Sequence, residues 1–184
     1  MSTTIKKIMI FGRPASGKST FALQLSRGIK FPLFHLDKFF FHPNWVKKNH
    51  DECESILKKF VVQDSWIIDG NDPALLEMRY KNADIILFFD FPKWLCLYRA
   101  IKRLFFKDKG LDDRAKGCPE KLSIKFIDYL LNFEKYFNAE ITRLQKEYPT
   151  KKFLKITDST SLSEASKFIN KNVKPRSIGS VENH

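Results

Sequence analysis

The stretch from Gly12 to Thr20 (GRPASGKST) has residue types and a spacing that suit phosphate chemistry. It fits the pattern G-x-x-x-x-G-K-[ST], in which glycines allow a tight turn whose successive N–H groups point at one anion. Lys18 places a positive charge on the outer phosphates of a nucleotide, and the Ser19 hydroxyl can reach a magnesium ion that bridges two of them. A helix that begins near Lys18 adds the partial positive charge of its N-terminus.

The elements on both sides of this stretch are those that a phosphate-binding loop requires. Residues 5–11 (IKKIMIF) predict a short buried strand, and residues 19–28 (STFALQLSRG) predict a helix that ends at Gly28. Strand, glycine-rich loop and helix in this order distinguish a phosphate-binding loop from an ordinary glycine turn. The residues predicted to bind the nucleotide phosphates are Gly12, Ala15, Ser16, Gly17, Lys18, Ser19 and Thr20.

Two carboxylates end short apolar segments farther along the chain. Asp37 ends the predicted strand 31–37, and Asp69 ends the predicted strand 65–69. Ligands of open α/β sheets bind at the carboxyl ends of the strands, which favours functional roles for both. Asp69 is predicted to hold magnesium through water, although Asp-Gly is also a common turn pair. Asp37 could lie in the magnesium shell, orient a substrate or act as a general base, or it could simply cap the next segment.

A basic region follows the fourth predicted strand. Residues 94–106 predict a helix on which Arg99 and Arg103 share one face, and residues 107–119 (KDKGLDDRAKGCP) predict a loop. From residue 99 to residue 125 there are nine Lys or Arg against four Asp or Glu. A mobile basic segment of this kind can close over phosphates as a lid that excludes water, and the alternative is a solvated basic loop. The aromatic residues 38–48 could line a substrate pocket or belong to the core.

The bulk composition narrows the classes of protein without choosing a partner. The 184 residues suit one domain, predicted over 1–173, with a polar and disordered tail at 174–184. The net charge of +12 favours an anionic partner but does not say which one. No apolar run is long enough to cross a membrane and no secretory signal is visible, so we expect a cytoplasmic protein without a membrane partner. The three cysteines form no metal-binding or disulfide pattern.

The order of the elements predicts the architecture. The most apolar strand covers residues 83–90, and residues 120–148 predict one long amphipathic helix or two joined end to end. Residues 151–157 predict a last strand, and residues 161–172 predict a last helix that is capped by Ser161 with Glu164 in the box position. Strands and helices alternate throughout, which is typical of a parallel sheet with helices on both faces.

Several segments together resemble one known family. The segments GRPASGKST, FHLDKFFF, WIIDGN, ADIILFFDFPKWLCLYRAIKR, GCPE and LLNFEK resemble the DNA topology modulation proteins, a branch of the adenylate-kinase-like P-loop proteins. They occur in order from about residue 5 to residue 157 and so cover most of the chain. The phosphate-binding loop is common to many P-loop families, whereas the other segments in combination are more specific to this branch.

The resemblance implies a P-loop fold of the nucleoside-monophosphate-kinase type, with three α/β/α layers and a parallel sheet of strand order 2-3-1-4-5. It implies ATP and magnesium at the loop, substrate-side or metal roles for Asp37 and Asp69, and a basic lid that carries Arg99, Arg103 and Arg114. The family reads G-N-Y after the third strand, whereas here Asp72 follows Asn71. A substrate contact from that aromatic residue is therefore not expected in this chain.

Three functions are compatible with these residues. The first is a magnesium-dependent phosphotransferase, in which Lys18 and the lid arginines stabilise the transferring group and Asp37 orients a nucleotide, nucleoside or other small acceptor. The second is a nucleic-acid-associated ATPase or regulator of DNA topology, which the charge favours but for which no recognised nucleic-acid-binding motif is present. The third, a GTPase, would need Asn or Thr before Lys155, where the chain has Leu154, so adenine is the preferred base.

Overall fold

The computed structural model describes residues 4–106, 112–119 and 122–173. The predicted disordered tail at 174–184 lies outside these residues, as do positions 107–111, 120 and 121 of the predicted lid. Within the three described ranges, no helix combines the length and the apolar content that crossing a membrane would require.

Five parallel strands form the central sheet, and their order is the predicted 2-3-1-4-5. The strands are β1 (Lys7–Gly12), β2 (Leu33–His35), β3 (Trp66–Asp69), β4 (Ile85–Phe89) and β5 (Lys152–Ile156). The register places Asp69 of β3 beside His35 of β2 and beside Ile10 of β1. The carboxyl ends of the three strands therefore meet beside the loop that follows Gly12. A separate antiparallel hairpin pairs Phe41–His42 with Val46–Lys47.

Helices cover both faces of the sheet, as the alternating order of elements predicts. They are α1 (Lys18–Ile29), α2 (Leu36–Phe40), α3 (His50–Val61), α4 (Leu76–Asn82), α5 (Lys93–Phe105), α6 (Ile124–Leu131), α7 (Phe133–Glu147) and α8 (Ser159–Asn172). Short 3-10 turns at Pro43–Trp45 and Pro73–Leu75 complete the described chain.

Strand β4 shows why the sheet needs a core on each side. Its residues are all buried, and successive side chains point to opposite faces. Ile85, Leu87 and Phe89 join a cluster with residues of α1, α5 and α8, whereas Ile86 and Phe88 join a second cluster with residues of α3, α4 and α7. Each fully buried side chain of this size contributes roughly 1.5–3 kcal/mol to folding. The continuous apolar run is thus explained by a strand that is covered on both faces.

Two sequence predictions differ from the structure in detail. Asp37 lies in the first turn of α2 and not at the end of a strand, because β2 ends at His35. Of the two alternatives for residues 120–148, the structure has two helices, α6 and α7, that meet at Asn132, whose side-chain amide donates to the carboxylate of Asp128. The last helix begins at Ser159, and its cap is Asp158, which forms a capping box with Ser161; the prediction of Ser161 as the cap is wrong.

Candidate functional site

The loop after β1 has a backbone that only particular residues can adopt. Gly12 and Gly17 have φ values of 140° and 96°, in the region that glycine favours, and Ala15 also has a positive φ of 58°. A methyl group on Gly12 would overlap the backbone carbonyl of Phe89, whereas a methyl group on Gly17 would meet open space. Position 12 therefore requires glycine because two strands approach closely there. Position 17 favours glycine because of its backbone conformation alone.

Helix α1 begins at the end of this loop. Gly17 is its N-cap, its first turn contains no acidic residue, and no side chain in the described chain caps it. The N-terminal N–H groups and the helix dipole together favour an anion at this position. Lys18 and Ser19 lie in the first turn of α1 and are partly exposed, so their side chains are available beside the N-terminal N–H groups.

Two side chains hold the loop in place from behind, and neither had a predicted role. The Asn71 amide donates to the carbonyl of Gly12 over 2.8 Å and accepts from its N–H over 3.0 Å. Arg13, only 2% exposed, donates to the carbonyl oxygens of Phe91 (3.1 Å) and Leu130 (2.7 Å), and it pairs with Asp90 and Glu134. Arg13 occupies a variable position of the motif, so the sequence offered no signal for this role.

Asp69 lies where the sequence places a magnesium-associated carboxylate. It is 2% exposed, and its Oδ2 lies 2.8 Å from His35 Nδ1. Burial alone would raise the pKa of Asp69, but the hydrogen bond with His35 and the charge of Lys18 outweigh it and hold the pKa below its usual value, with a smaller contribution from Ser19. The group is therefore an anion at neutral pH. His35 had no predicted role.

The Asp69 oxygens suit a hydrated magnesium ion. Oδ1 is buried and has no hydrogen-bond partner among the residues that the structure describes. An anionic oxygen that is buried without a partner is costly unless a water molecule or an ion satisfies it. Magnesium in nucleotide sites keeps several waters and takes few protein ligands, so one serine hydroxyl and one carboxylate at a distance fit its needs. Ser19 and Asp69 are the residues that would hold the ion.

Lys18, Ser19 and Asp37 open on one cleft of about 560 Å³. Burial raises the pKa of Asp37 to about 6; the charge of Lys18 opposes this shift, and the carboxylates of Asp69 and Asp113 add to it. A carboxylate with a pKa near 6 takes up a proton more readily than an ordinary surface aspartate does. Asp37 thus has the position and the basicity that a group accepting a hydroxyl proton needs.

Two of the three predicted lid arginines reach this cleft. Arg103 and Arg114 line it, and Asp113, 3.2 Å from Arg114, lines it as well. Arg99 is not among the lining residues, since its guanidinium donates to the carbonyl of Ser16 and lies over the ring of Phe91. Arg99 therefore supports the phosphate-binding loop from outside the cleft.

Aromatic side chains form a second wall of the cleft. They come from two separate segments and comprise Phe41, Trp45, Phe126 and Tyr129. Trp45 packs edge-on to Phe41 at 5.4 Å, and its Nε1 donates to the carbonyl of Pro119 over 2.8 Å. Burial and the charge of Asp37 raise the pKa of Tyr129, so its phenol stays neutral. The sequence alone did not decide whether residues 38–48 line a pocket or belong to the core. It predicted no role in the cleft for Phe126 and Tyr129.

Asp72, which stands where the resembling family has an aromatic residue, has a structural role. It is 2% exposed, pairs with Lys47 over 2.8 Å and accepts from the backbone of Leu75. Buried Arg79 donates to the carbonyl oxygens of Gly70 and Asp72. These contacts hold the turn after β3, so the position lies beside the cleft without lining it.

Comparison with known proteins identifies the fold. Shikimate kinase from Bacteroides thetaiotaomicron matches with a TM-score of 0.54 at 11% identity, over 91% of this chain and 97% of that chain. Shikimate kinase from Acinetobacter baumannii, solved in complex with shikimate, matches with a TM-score of 0.55 at 16% identity, over 91% of this chain and 92% of that chain. No family model matches the sequence, and no curated protein is similar to it in sequence. The chain has the fold of the shikimate-kinase-like P-loop kinases.

Proposed function

We propose that this chain is an ATP- and magnesium-dependent phosphotransferase that acts on a small hydroxyl-bearing acceptor. One observation carries the proposal: a phosphate-binding loop, a carboxylate of raised pKa and two arginines line the same aromatic-walled cleft. Phosphoryl transfer is catalysed mostly by positioning and by electrostatic stabilisation, so such a cleft needs few other groups. The fold of known kinases supports the same reading.

Each residue has one task in this proposal. The loop N–H groups, Lys18 and the N-terminus of α1 bind the phosphates of ATP. Magnesium, held by Ser19 and at one remove by Asp69, would neutralise charge between the outer phosphates. Arg103 and Arg114 offset the negative charge that develops on the transferring group, while Asp37 orients the acceptor hydroxyl and takes its proton.

The basic segment at about 99–125 would act as a lid over the phosphates. The described parts of that segment contribute Arg103, Asp113, Arg114 and Ser123 to the cleft. Closure over the aromatic wall would exclude water, which otherwise competes with the acceptor for the phosphoryl group. We propose that residues 1–173 form one domain that includes this lid, and that the protein is cytoplasmic.

A second candidate is an ATPase or regulator that associates with nucleic acid. The net charge of +12 and the resemblance to DNA topology modulation proteins favour it. If nucleic acid is bound through this charge, the affinity should fall steeply with salt concentration. The cleft volume of about 560 Å³ lies within the range of sites that bind small molecules, so the cleft by itself does not favour a nucleic acid ligand.

A coupled ADP-release assay tests both candidates. Wild type and Lys18→Ala would be compared with nucleoside monophosphates, nucleosides, shikimate, single-stranded DNA and duplex DNA, with Lys167→Ala on α8 as the matched lysine control. We expect a small acceptor to stimulate ADP release, with a loss of about 10²–10³-fold in Lys18→Ala and no change in the control. Stimulation by DNA alone would favour the second candidate. Bound ATP with no acceptor-stimulated release would contradict phosphoryl transfer to any of these acceptors.

A further inference from the structure

Helix α5 carries a row of large apolar side chains on its outer surface, far more exposed than its other face. Trp94, Tyr98, Ile101 and Phe105 are 65%, 61%, 43% and 76% exposed. We call these four residues the α5 ridge. The other side of the same helix buries Cys96 and Ala100 in the core. The ridge is therefore part of neither the core nor the cleft.

The spacing of the ridge is that of a helix–helix seam. Its residues follow one another at intervals of four, three and four, which places them within a strip about 60° wide on an ideal helix. Leu95 and Leu104, 37% and 41% exposed, extend the apolar surface on the two sides of this strip, so the strip is the centre of a wider apolar face. In the described part of the chain these side chains stay exposed, and a second helix is what would bury them.

We propose that this helix is α5 of a second copy of this chain, packed antiparallel about a two-fold axis. In this arrangement Trp94 lies against Phe105 of the partner subunit, and Tyr98 lies against Ile101 of the partner subunit. The two pairs repeat on both sides of the axis, as a two-fold interface requires. The proposal does not depend on the proposed function, because no ridge residue lines the cleft.

The exposed area is large enough for such a pair. The three aromatic residues of the ridge, with Leu95 and Leu104 at 37% and 41% exposure on either side, present on the order of 500 Å² of apolar surface. A monomer's largest exposed apolar patch is typically about 300–600 Å², and it is often functional. Two copies would together bury about 1,000 Å², which reaches the lower bound of a specific interface.

The charges beside the ridge give the pair a distinctive salt dependence. Helix α5 contains no Asp or Glu, and Lys93 and Lys102 flank the ridge; Lys93 Nζ lies 5.6 Å from the Trp94 ring centroid. Two copies bring these lysines together, so salt that screens their repulsion should strengthen the pair. An anionic bilayer or an acidic partner on the same ridge would behave in the opposite way, since salt would weaken its attraction.

Sedimentation velocity over a range of protein concentrations, at low and high salt, is the first test. We expect a monomer–dimer equilibrium that tightens with salt, and a dissociation constant that rises about 30-fold or more in Phe105→Glu. Val62→Glu makes the same change of charge at another exposed apolar side chain, 77% exposed after α3, and should leave the equilibrium unchanged. A monomer at every concentration and salt, or a dimer that Phe105→Glu leaves intact, would overturn the proposal.

Disulfide trapping tests the antiparallel register. In the double variant Trp94→Cys, Phe105→Cys the two positions lie about 16 Å apart along one helix, too far for a bond within a chain. We expect mild oxidation to give a covalent dimer from the double variant and little from Trp94→Cys alone. Efficient trapping of Trp94→Cys alone would contradict the antiparallel pair. Flotation of a monomeric wild type with anionic vesicles, lost in Phe105→Glu, would replace the second copy by a membrane surface.

Discussion

The two walls of the cleft are built in different ways. The phosphate-binding wall comes from one continuous stretch, Gly12–Thr20, which carries its own glycines and leads into helix α1, although distant side chains brace it from behind. The second wall gathers side chains from residues 41–45, from α5, from residues 113 and 114, and from α6. In the proposed function, the phosphate, a group common to many substrates, would be bound by a continuous sequence motif. The acceptor would face a surface whose residues can change without altering that motif.

The largest expected effect separates the two glycines within the phosphate-binding wall. Gly12→Ala should destabilise the protein by about 3–5 kcal/mol or prevent folding, because its methyl group would overlap the backbone of Phe89 and neither strand can move aside. Gly17→Ala should cost only about 1–2 kcal/mol, the penalty for a left-handed backbone with open space around it. Urea unfolding of the two variants would measure the difference.

The affinity for ATP is the second property that the Gly17→Ala variant tests. Gly17→Ala should still fold yet bind ATP more weakly, since the glycine begins the helix that faces the phosphates. Equal losses of stability in the two variants would show that the close contact with the Phe89 backbone is not the reason why position 12 requires glycine. Wild-type ATP affinity in Gly17→Ala would show that this backbone does not contribute to phosphate binding.

The second prediction concerns the contact between the turn after β3 and the phosphate-binding loop. Asn71→Asp keeps the size of the side chain but replaces the amide donor by an oxygen that faces the Gly12 carbonyl. We expect a loss of about 2 kcal/mol in stability, with weaker ATP binding, because a buried carbonyl loses its donor and meets a negative charge. Urea unfolding and calorimetric titration with ATP would measure both effects.

Asn82→Asp is the matched control for this variant. Asn82 also donates its amide to a carbonyl oxygen, that of Met78, over 2.8 Å, but it does so at the end of α4 and away from the loop. It should lose less stability and leave ATP binding unchanged. If the two variants behave alike, the Asn71 bridge is not special to the loop.

The contrast between the walls also explains what could be predicted from the sequence. The alternation of elements and the loop follow from patterns within short windows of residues, whereas the strand order 2-3-1-4-5 is implied by the family resemblance. Asp69 could be anticipated because it ends a strand, and a strand end has a known place in this architecture. These short patterns did not fix exact boundaries, as the cap at Asp158 shows, and they left open whether residues 120–148 form one helix or two.

The missed residues are those whose partners are distant in the chain. Arg13 contacts Leu130 and Glu134, and Asn71 contacts Gly12, across 59 to 121 positions. No periodicity or motif reports such a pairing, because it depends on how helices pack over the sheet. The aromatic wall has the same origin, since Phe126 and Trp45 come to line one cleft only after the chain has folded.

The smallest predicted effect lies at Asp37, which lines the same cleft as both walls. Its pKa in the folded protein, about 6, is above its ordinary value of 3.8, so the folded state binds this proton more tightly than the unfolded state does. The charged carboxylate therefore destabilises the ligand-free protein above about pH 6, and the penalty disappears as the pH falls below the unfolded value. Asp37→Asn should be more stable than wild type by roughly 1–2 kcal/mol at pH 7.5, with a difference near zero at about pH 4.

Urea unfolding across this pH range, without nucleotide or magnesium, measures the difference, and Asp64→Asn at an exposed site controls for the change of charge. The same Asp37→Asn variant should lose acceptor-stimulated turnover while it still binds ATP, because the lost carboxylate acts on the acceptor and not on the phosphates. A gain in stability that does not vary with pH would mean that the carboxylate is not strained by burial. Full turnover in a more stable variant would show that the strain serves no catalytic purpose at this position.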